Sequence, residues 1–496
     1  MGWKSSRFRP IVFSRDRVSE LSASTASPQS ARVRLGEKLG YGVGDLAAGL
    51  MLNFFGFFLF YYFVDLGGLA PFAIGVMLLI TKLIDAVTDP VMGAIADRTR
   101  TRWGRYRPYI LFGSVPLGIS MVLIFSAPDN LGDTALLIWA YVTYTLCMLA
   151  FTSVNIPYGG LLGVISPSSA VRSNVTAFRM FFSASGGILV GALGTTLIRE
   201  LGQGDEKLGI LLTISCIAAV SVFCLLTTFF TTRERIPPVE SKGSLKGDLG
   251  VLIRSGPWIA VAIAAILGVT SIAARAGTAP FFFKYVVGDD GSPVFLFFDR
   301  AALFLTALAL GQVSGVIIGS LAQKRFEKAH LLMAAGVLKA SMITLFYFLP
   351  LDAIWPQTAV QYVIGIGFGF LMVLSYSMFT DIADFIEWKS GRQMTALVVA
   401  ASVFGVKAGI GLGSGIPGLI LEWTGFVSEA QQSESALWGI QLAFAIIPAA
   451  IMIPAAGAIA FYGITRNVIA QAERDLHERR MEARSVPPSG TIRSPA

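Results

Sequence analysis

The sequence predicts an all-α integral membrane protein: twelve transmembrane helices in two six-helix bundles, with both termini cytoplasmic. Three observations carry this. The 496 residues are 54% hydrophobic and only 14% charged, with a mean hydropathy of +0.67. A soluble chain is nearer a quarter charged, and this one lacks the polar groups to cover its apolar surface. The chain also divides into twelve apolar runs, each long enough for the roughly 20 residues a bilayer core requires. Finally, lysines and arginines collect in alternate connections between those runs.

The runs fall at 39–64, 71–97, 107–126, 134–162, 173–198, 208–231, 257–286, 298–322, 330–350, 357–383, 394–422 and 436–465. Several contain Gly or Pro, which spanning helices tolerate because neighbouring groups satisfy the freed backbone. The link after span two carries Arg98, Arg100, Arg102, Arg105 and Arg107. After span six come Arg233, Arg235, Lys242, Lys246 and Arg254, after span eight Lys324, Arg325 and Lys328, and after span ten Lys389 and Arg392. The links 127–133, 287–297 and 351–356 carry neither residue. Even-numbered links are therefore expected in the cytoplasm. A net charge of +8 raises nucleic acid as a partner. Its concentration in short links between apolar runs favours membrane orientation instead, so the expected surroundings are a lipid bilayer and no nucleic acid.

The expected organisation is a disordered cytoplasmic tail over 1–34, an N-terminal bundle over 35–231, a central cytoplasmic linker over 232–256, a C-terminal bundle over 257–466 and a cytoplasmic tail over 467–496. Related segments occupy the same place in each half: GAIADR at 93–98 follows span two, and GSLAQKR at 319–325 follows span eight. Two matching halves around a linker are the arrangement of transporters of the major facilitator architecture.

The buried charges point to chemistry. In KLIDAVTDP, residues 82–90, Asp85 and Asp89 are one helical turn apart and share a face. Each ionised group in hydrocarbon costs about 2.5–3.5 kcal/mol, so such groups face protein, a water-filled cavity or one another. A Lys–Asp pair that merely orients the helix is one reading of them. A second carboxylate without a fixed partner suits a cation site better, because Na⁺ and H⁺ need oxygen ligands. Lys82, three residues before Asp85, is the expected surrogate when no cation is bound. Pro90 leaves a backbone carbonyl of the preceding turn without its usual donor. Other polar groups inside the spans are Asp45, Asn53, Asn155, Arg179, Arg275 and Lys407. Asn53 and Asn155 suit a hydroxylated solute, and Arg179 offers a rigid multi-donor fork for sugar hydroxyls. Either basic residue also reads as an interhelix ion pair. Tyr61, Tyr62, Trp139, Tyr158 and Phe281–Phe283 supply rings for stacking on a sugar or for packing. The three cysteines, Cys147, Cys216 and Cys224, show no CxxC spacing, so neither a structural metal nor a disulfide framework is implied. The two histidines, His330 and His477, belong to no catalytic set, and no Walker loop is present. The chain is expected to be no enzyme, to need no cofactor and to draw its energy from a coupled ion.

Six segments together resemble the glycoside–pentoside–hexuronide:cation symporters, the melibiose-permease-like family of the major facilitator superfamily. They are YGVGD at 41–45, DAVTDPVMGAIADRTRTRWGRYRP at 85–108, NIPYGGLLGVISP at 155–167, FRMFF at 178–182, FFFKYVVG at 281–288 and DIADFIEWKSGR at 381–392. The resemblance spans about 36–466 and implies roles. Asp85, Thr88, Asp89, Thr152 and Asn155 match cation-site positions, with Na⁺ as the metal that Asp85 and Asp89 would hold. Asn53, Asn155, Tyr158, Arg179 and Lys407 fall on the substrate side. Asp97, Arg102, Arg105, Asp381, Asp384 and Glu387 match the cytoplasmic gating layer. The chain departs from the melibiose permease at Ala48 and Gly49, where that protein has a lysine–aspartate pair, at Asn155, where it has an aspartate, and at Gly159, where it has a tryptophan. The implied activity is symport of a sugar or glycoside with Na⁺ or H⁺ across the inner membrane by alternating access. The alternatives are a cation-coupled carrier of a non-sugar solute such as a lysolipid, and a transport-inactive sensor or scaffold of the same fold.

Overall fold

A computed structural model describes residues 33–166, 169–235, 250–391 and 394–485. Of the tail expected to be disordered over 1–34, residues 1–32 lie outside the described residues, as do 236–249 of the expected central linker and 486–496 of the expected C-terminal tail. Among the described residues twelve helices are long and apolar enough to cross a membrane. They are α1 Leu35–Leu66, α2 Pro71–Arg98, α3 Arg107–Ile124, α4 Asp133–Ile165, α5 Val171–Gly202, α6 Glu206–Thr231, α7 Gly256–Val287, α8 Arg300–Ala322, α9 Lys328–Phe348, α10 Ile354–Ser390, α11 Leu397–Trp423 and α12 Glu434–Phe461. A polar helix, α13 Arg466–Ser485, follows. No strand forms among these residues; two isolated bridges, Thr101 with Gly104 and Phe295 with Phe298, close tight turns.

Helix starts follow local chemistry. Pro71 and Pro108 occupy first-turn positions, where a missing N–H costs nothing. Asp205, Asp299 and Ser433 cap α6, α8 and α12 through their side chains. α10 runs past the expected 383 to Ser390, so Asp384 and Glu387 are helical. It stops at Gly391, whose φ of +69° is the left-handed cap that glycine adopts without strain. Three helices contain a widened π-helical turn: Tyr62–Leu66 in α1, Phe282–Val287 in α7 and Leu442–Ile446 in α12.

Helices α1 to α6 pack among themselves, chiefly α1 on α5 and α6 and α3 on α4 and α6; α7 to α12 do likewise, led by α8 on α10 and α7 on α11 and α12. The halves meet where α2 lies on α11, α5 on α8 and α1 on α7. Without water, helices associate through close van der Waals contact, which small residues permit. A Cβ added at Gly369 of α10 would sit 2.2 Å from the Gln312 carbonyl oxygen of α8; one at Gly418 of α11 would sit 2.4 Å from that of Pro71 on α2. The second contact sets how closely α11 approaches the helix bearing Asp85 and Asp89.

Candidate functional site

Asp85 and Asp89 face α4 and α11 from the middle of α2. Asp85 is 3% exposed. Lys407 reaches across from α11, its Nζ 2.8 Å from Asp85 Oδ2, and forms a second ion pair with Asp89. Thr152 on α4 directs its hydroxyl at the same pair, 2.6 Å from Asp85 Oδ1 and 3.3 Å from Asp89 Oδ1. Thr88 donates to the Asp85 main-chain carbonyl at 3.2 Å and is thereby turned to its own helix. Lys82 points elsewhere: its Nζ lies 3.4 Å from Met148 Sδ. The surrogate cation expected from Lys82 is thus supplied by Lys407, and of the two expectations for Lys407, a substrate contact and an interhelix ion pair, the structure shows the ion pair. One oxygen of each carboxylate meets the ammonium and the other accepts from the Thr152 hydroxyl; such a set of oxygen donors fits a hard cation.

A second cluster ties α1, α4 and α5 together. Arg179 Nε is 2.9 Å from Asp45 Oδ2, and its guanidinium carbon lies 5.0 Å from the centre of the Tyr158 ring. Tyr158 and Tyr41 stack at 4.6 Å, and each hydroxyl donates to the other's carbonyl, at 2.7 and 2.9 Å. Burial and these bonds commit the Tyr158 hydroxyl to structure, whereas the Arg179 side chain keeps 28% exposure. Asn53 donates to the Gly49 carbonyl of its own helix at 2.8 Å. Asn155 lines a void of about 10 Å³ inside the N-terminal half with Gly44, Ala48 and Tyr158. That space suits one water molecule at most. Among the described residues no hydrogen bond joins Asn155 to the carboxylate pair.

The expected gating residues fall into two groups. In the first half, Tyr106 donates to Asp97 at 2.7 Å and Arg105 Nη1 lies 3.7 Å from it. Burial, and then the bond to Asp97, push the Tyr106 phenol up to about 12, so it remains a donor. Arg102 covers the Trp103 ring at 4.1 Å. In the second half, Lys328 pairs with Asp381 at 2.6 Å. Asp384 and Glu387 follow along the same helix, and Trp388 beside them donates to Asp475 of α13 at 2.8 Å.

Two features escaped the sequence reading. Glu234, just after α6, accepts from the N–H groups of Arg105, Tyr106 and Arg107 at 2.8 to 3.1 Å, anchoring the start of α3. Asp65 and Lys284, 2.7 Å apart, join the two halves at the opposite face. Glu234 was visible only as one acid in a basic link, and the other two only as ends of apolar runs.

Comparison with known proteins identifies the family of the chain. Residues 40–466 match the family described as MFS/sugar transport protein. The inner membrane symporter YicJ of Escherichia coli (strain K12) is 30% identical over 433 residues, covering 87% of this chain and 92% of that one. The putative glycoside/cation symporter YagG of the same organism is 30% identical over 467 residues, covering 92% and 98%. The isoprimeverose transporter of Lactiplantibacillus pentosus is 28% identical over 436 residues, covering 87% and 89%. Among solved structures, the nucleoside transporter NupG superposes with a TM-score of 0.60 at 16% identity, covering 87% of this chain and 99% of that chain. A D-xylose-proton symporter gives 0.59 at 13%, covering 84% and 96%. These last two show the shared fold.

Proposed function

Because the chain belongs to the MFS/sugar transport family, the glycoside–pentoside–hexuronide:cation symporters, we propose that it carries a sugar or glycoside inward across the inner membrane together with Na⁺ or H⁺. As a member of that family it is a multi-pass membrane transporter and no enzyme. The basic connections and both termini lie in the cytoplasm, as the distribution of Lys and Arg favours.

One observation carries the coupling: the ammonium on the α2 carboxylates comes from the other half of the molecule. A cation arriving at Asp85 and Asp89 competes with a bond that ties α2 to α11. Ion binding therefore biases how the halves sit, and the solute, held between them near the bilayer midplane, biases ion binding in return. Thr152 orients the acids. Arg179, partly exposed beside Asp45, is the donor best placed to meet solute hydroxyls. One charge moved through 100 mV yields about 2.3 kcal/mol, enough for a solute gradient of about fifty-fold. The names of the relatives, among them a glycoside/cation symporter and an isoprimeverose transporter, support a sugar as cargo. The test is uptake of labelled pentosides, glucosides and hexuronides by membrane vesicles under an imposed Na⁺ or proton gradient. Accumulation that needs one of the gradients supports the assignment. Uptake indifferent to both, or none of any sugar alongside uptake of a lysolipid, overturns it.

A further inference from the structure

At the face opposite the basic connections, Asp65 is 0% exposed. Among the described residues, every hydrogen-bond partner of its carboxylate comes from the other half of the molecule. Lys284 Nζ lies 2.7 Å from Oδ2, the Tyr285 hydroxyl donates to Oδ1 at 2.5 Å, and the Glu429 N–H approaches Oδ1 at 3.3 Å. Ser428 donates to the Asp65 main-chain carbonyl as well. Lys284 also donates to Tyr61 Oη at 2.8 Å, and the Tyr61 hydroxyl in turn donates to Glu206 at 2.9 Å. One connected network thus links α1, α6, α7 and the connection before α12.

The backbone beneath it is unusual in both partners. α1 and α7 open their respective halves, and each ends in a π-helical turn. Asp65 sits on one such turn and Lys284 and Tyr285 on the other. π-turns are rare and recur at functional positions. A layer of rings lies against the network: Phe281 packs on Phe60, Tyr61 and Phe426 at 5.3 to 5.5 Å between ring centres. A cavity of about 390 Å³, lined by Tyr61, Arg199, Glu206 and Lys284 together with apolar residues such as Phe58 and Phe283, reaches the lysine end of the ion pair. A buried ion pair between packed rings and an open cavity is held strongly while closed. Parted, it leaves charges that the cavity can hydrate.

We propose that Asp65, Lys284 and Tyr285 form a latch that closes this face of the molecule and parts whenever the Asp85–Asp89 site opens towards it. The latch deepens the alternating-access reading by naming the residues that hold one of its two gates. Its test does not depend on transport, so failure of the symport assignment and failure of the latch are separable.

The experiment uses the full chain with Cys147, Cys216 and Cys224 replaced. Spin labels are placed at Asn130→Cys and Asp352→Cys, exposed positions on connections of the two halves at this face, and distances are read by pulsed EPR. The expected result is a short distance for the parent chain. Asp65→Asn or Lys284→Gln should raise the long-distance population about tenfold or more. The double variant should open no further than either single, because both remove one interaction. Tyr285→Phe keeps the ring and drops one hydrogen bond. It should give a smaller shift in the same direction, and it serves if the charge variants fail to fold. Distances unchanged in all variants, or effects that multiply in the double variant, overturn the proposal.

Discussion

Lys407 Nζ lies 2.8 Å from Asp85 Oδ2 across 322 positions of sequence and across the boundary between the two halves. The cluster is therefore both a candidate ion site and a joint, and removing the ammonium exposes both roles. Lys407→Ala leaves two carboxylates one turn apart without a counter-charge. A broken buried pair costs about 3–5 kcal/mol. In choline buffer the variant should melt well below the parent. Added NaCl should recover much of the loss if Na⁺ takes the ammonium's place, and the Na⁺-dependent rise in midpoint should exceed the parent's. A variant that melts identically in choline and sodium argues against Na⁺ at this site and leaves H⁺ as the coupling ion.

The Asp45–Arg179 pair is less enclosed, and its energy is discounted accordingly. Arg179→Ala is expected to cost about 2 kcal/mol, below the value for a fully buried pair, because the side chain keeps 28% exposure. Arg179→Lys should not restore the parent, since an ammonium lacks the planar fork and the stacking on Tyr158. Combining Asp45→Asn with Arg179→Gln should cost less than the two singles added together. Thermal midpoints of the four proteins decide this, and simple additivity would show that the pair does not act as a unit.

Glu234 holds three consecutive N–H groups at the positive end of the α3 dipole. Glu234→Ala should cost about 1.5–3 kcal/mol and speed amide exchange at 105–107 while leaving α5 and α8 protected. Uniformly faster exchange would mean that the residue supports the whole fold and not this junction.

Asp299 gives a pH dependence with a definite sign. It lies just before α8 and accepts from the Ala302 N–H at 2.7 Å, and burial raises its carboxyl above the usual range. The folded state therefore binds this proton more readily than the unfolded state. The group costs stability at neutral pH, and the cost is relieved as pH falls through its folded value. Asp299→Asn keeps a capping acceptor. It should equal or exceed the parent's melting midpoint at about pH 7 and lose that advantage towards about pH 4. A large loss at pH 7 would show instead that the charge is needed by Arg199, 4.0 Å away.

Span number was legible because bilayer thickness fixes helix length. The ends were less so: α10 continues seven residues past its expected stop, since the polar DFIEWKS turns carry no hydropathy signal although they remain helical. The acids of α2 were legible as costly groups in an apolar run. Their partner was not. Both Lys82 and Lys407 were available, and the choice depends on the close approach of α11 to α2 through Gly418. Asn155 shows the converse: a polar residue in a matching motif, placed by the fold in the interior of one half. The π-turns beneath Asp65 and Lys284 leave no composition signal, so the contact between the two residues emerged only with the packing of α1 on α7.

The most direct measurement is uphill accumulation, in vesicles, of whichever labelled glycoside the native chain takes up, compared with Asp85→Asn/Asp89→Asn under the same ion gradient. If the acids bind the driving cation, the native chain concentrates the sugar only with the gradient, and the double variant merely equilibrates it. Undiminished accumulation by the double variant would contradict cation coupling at this site.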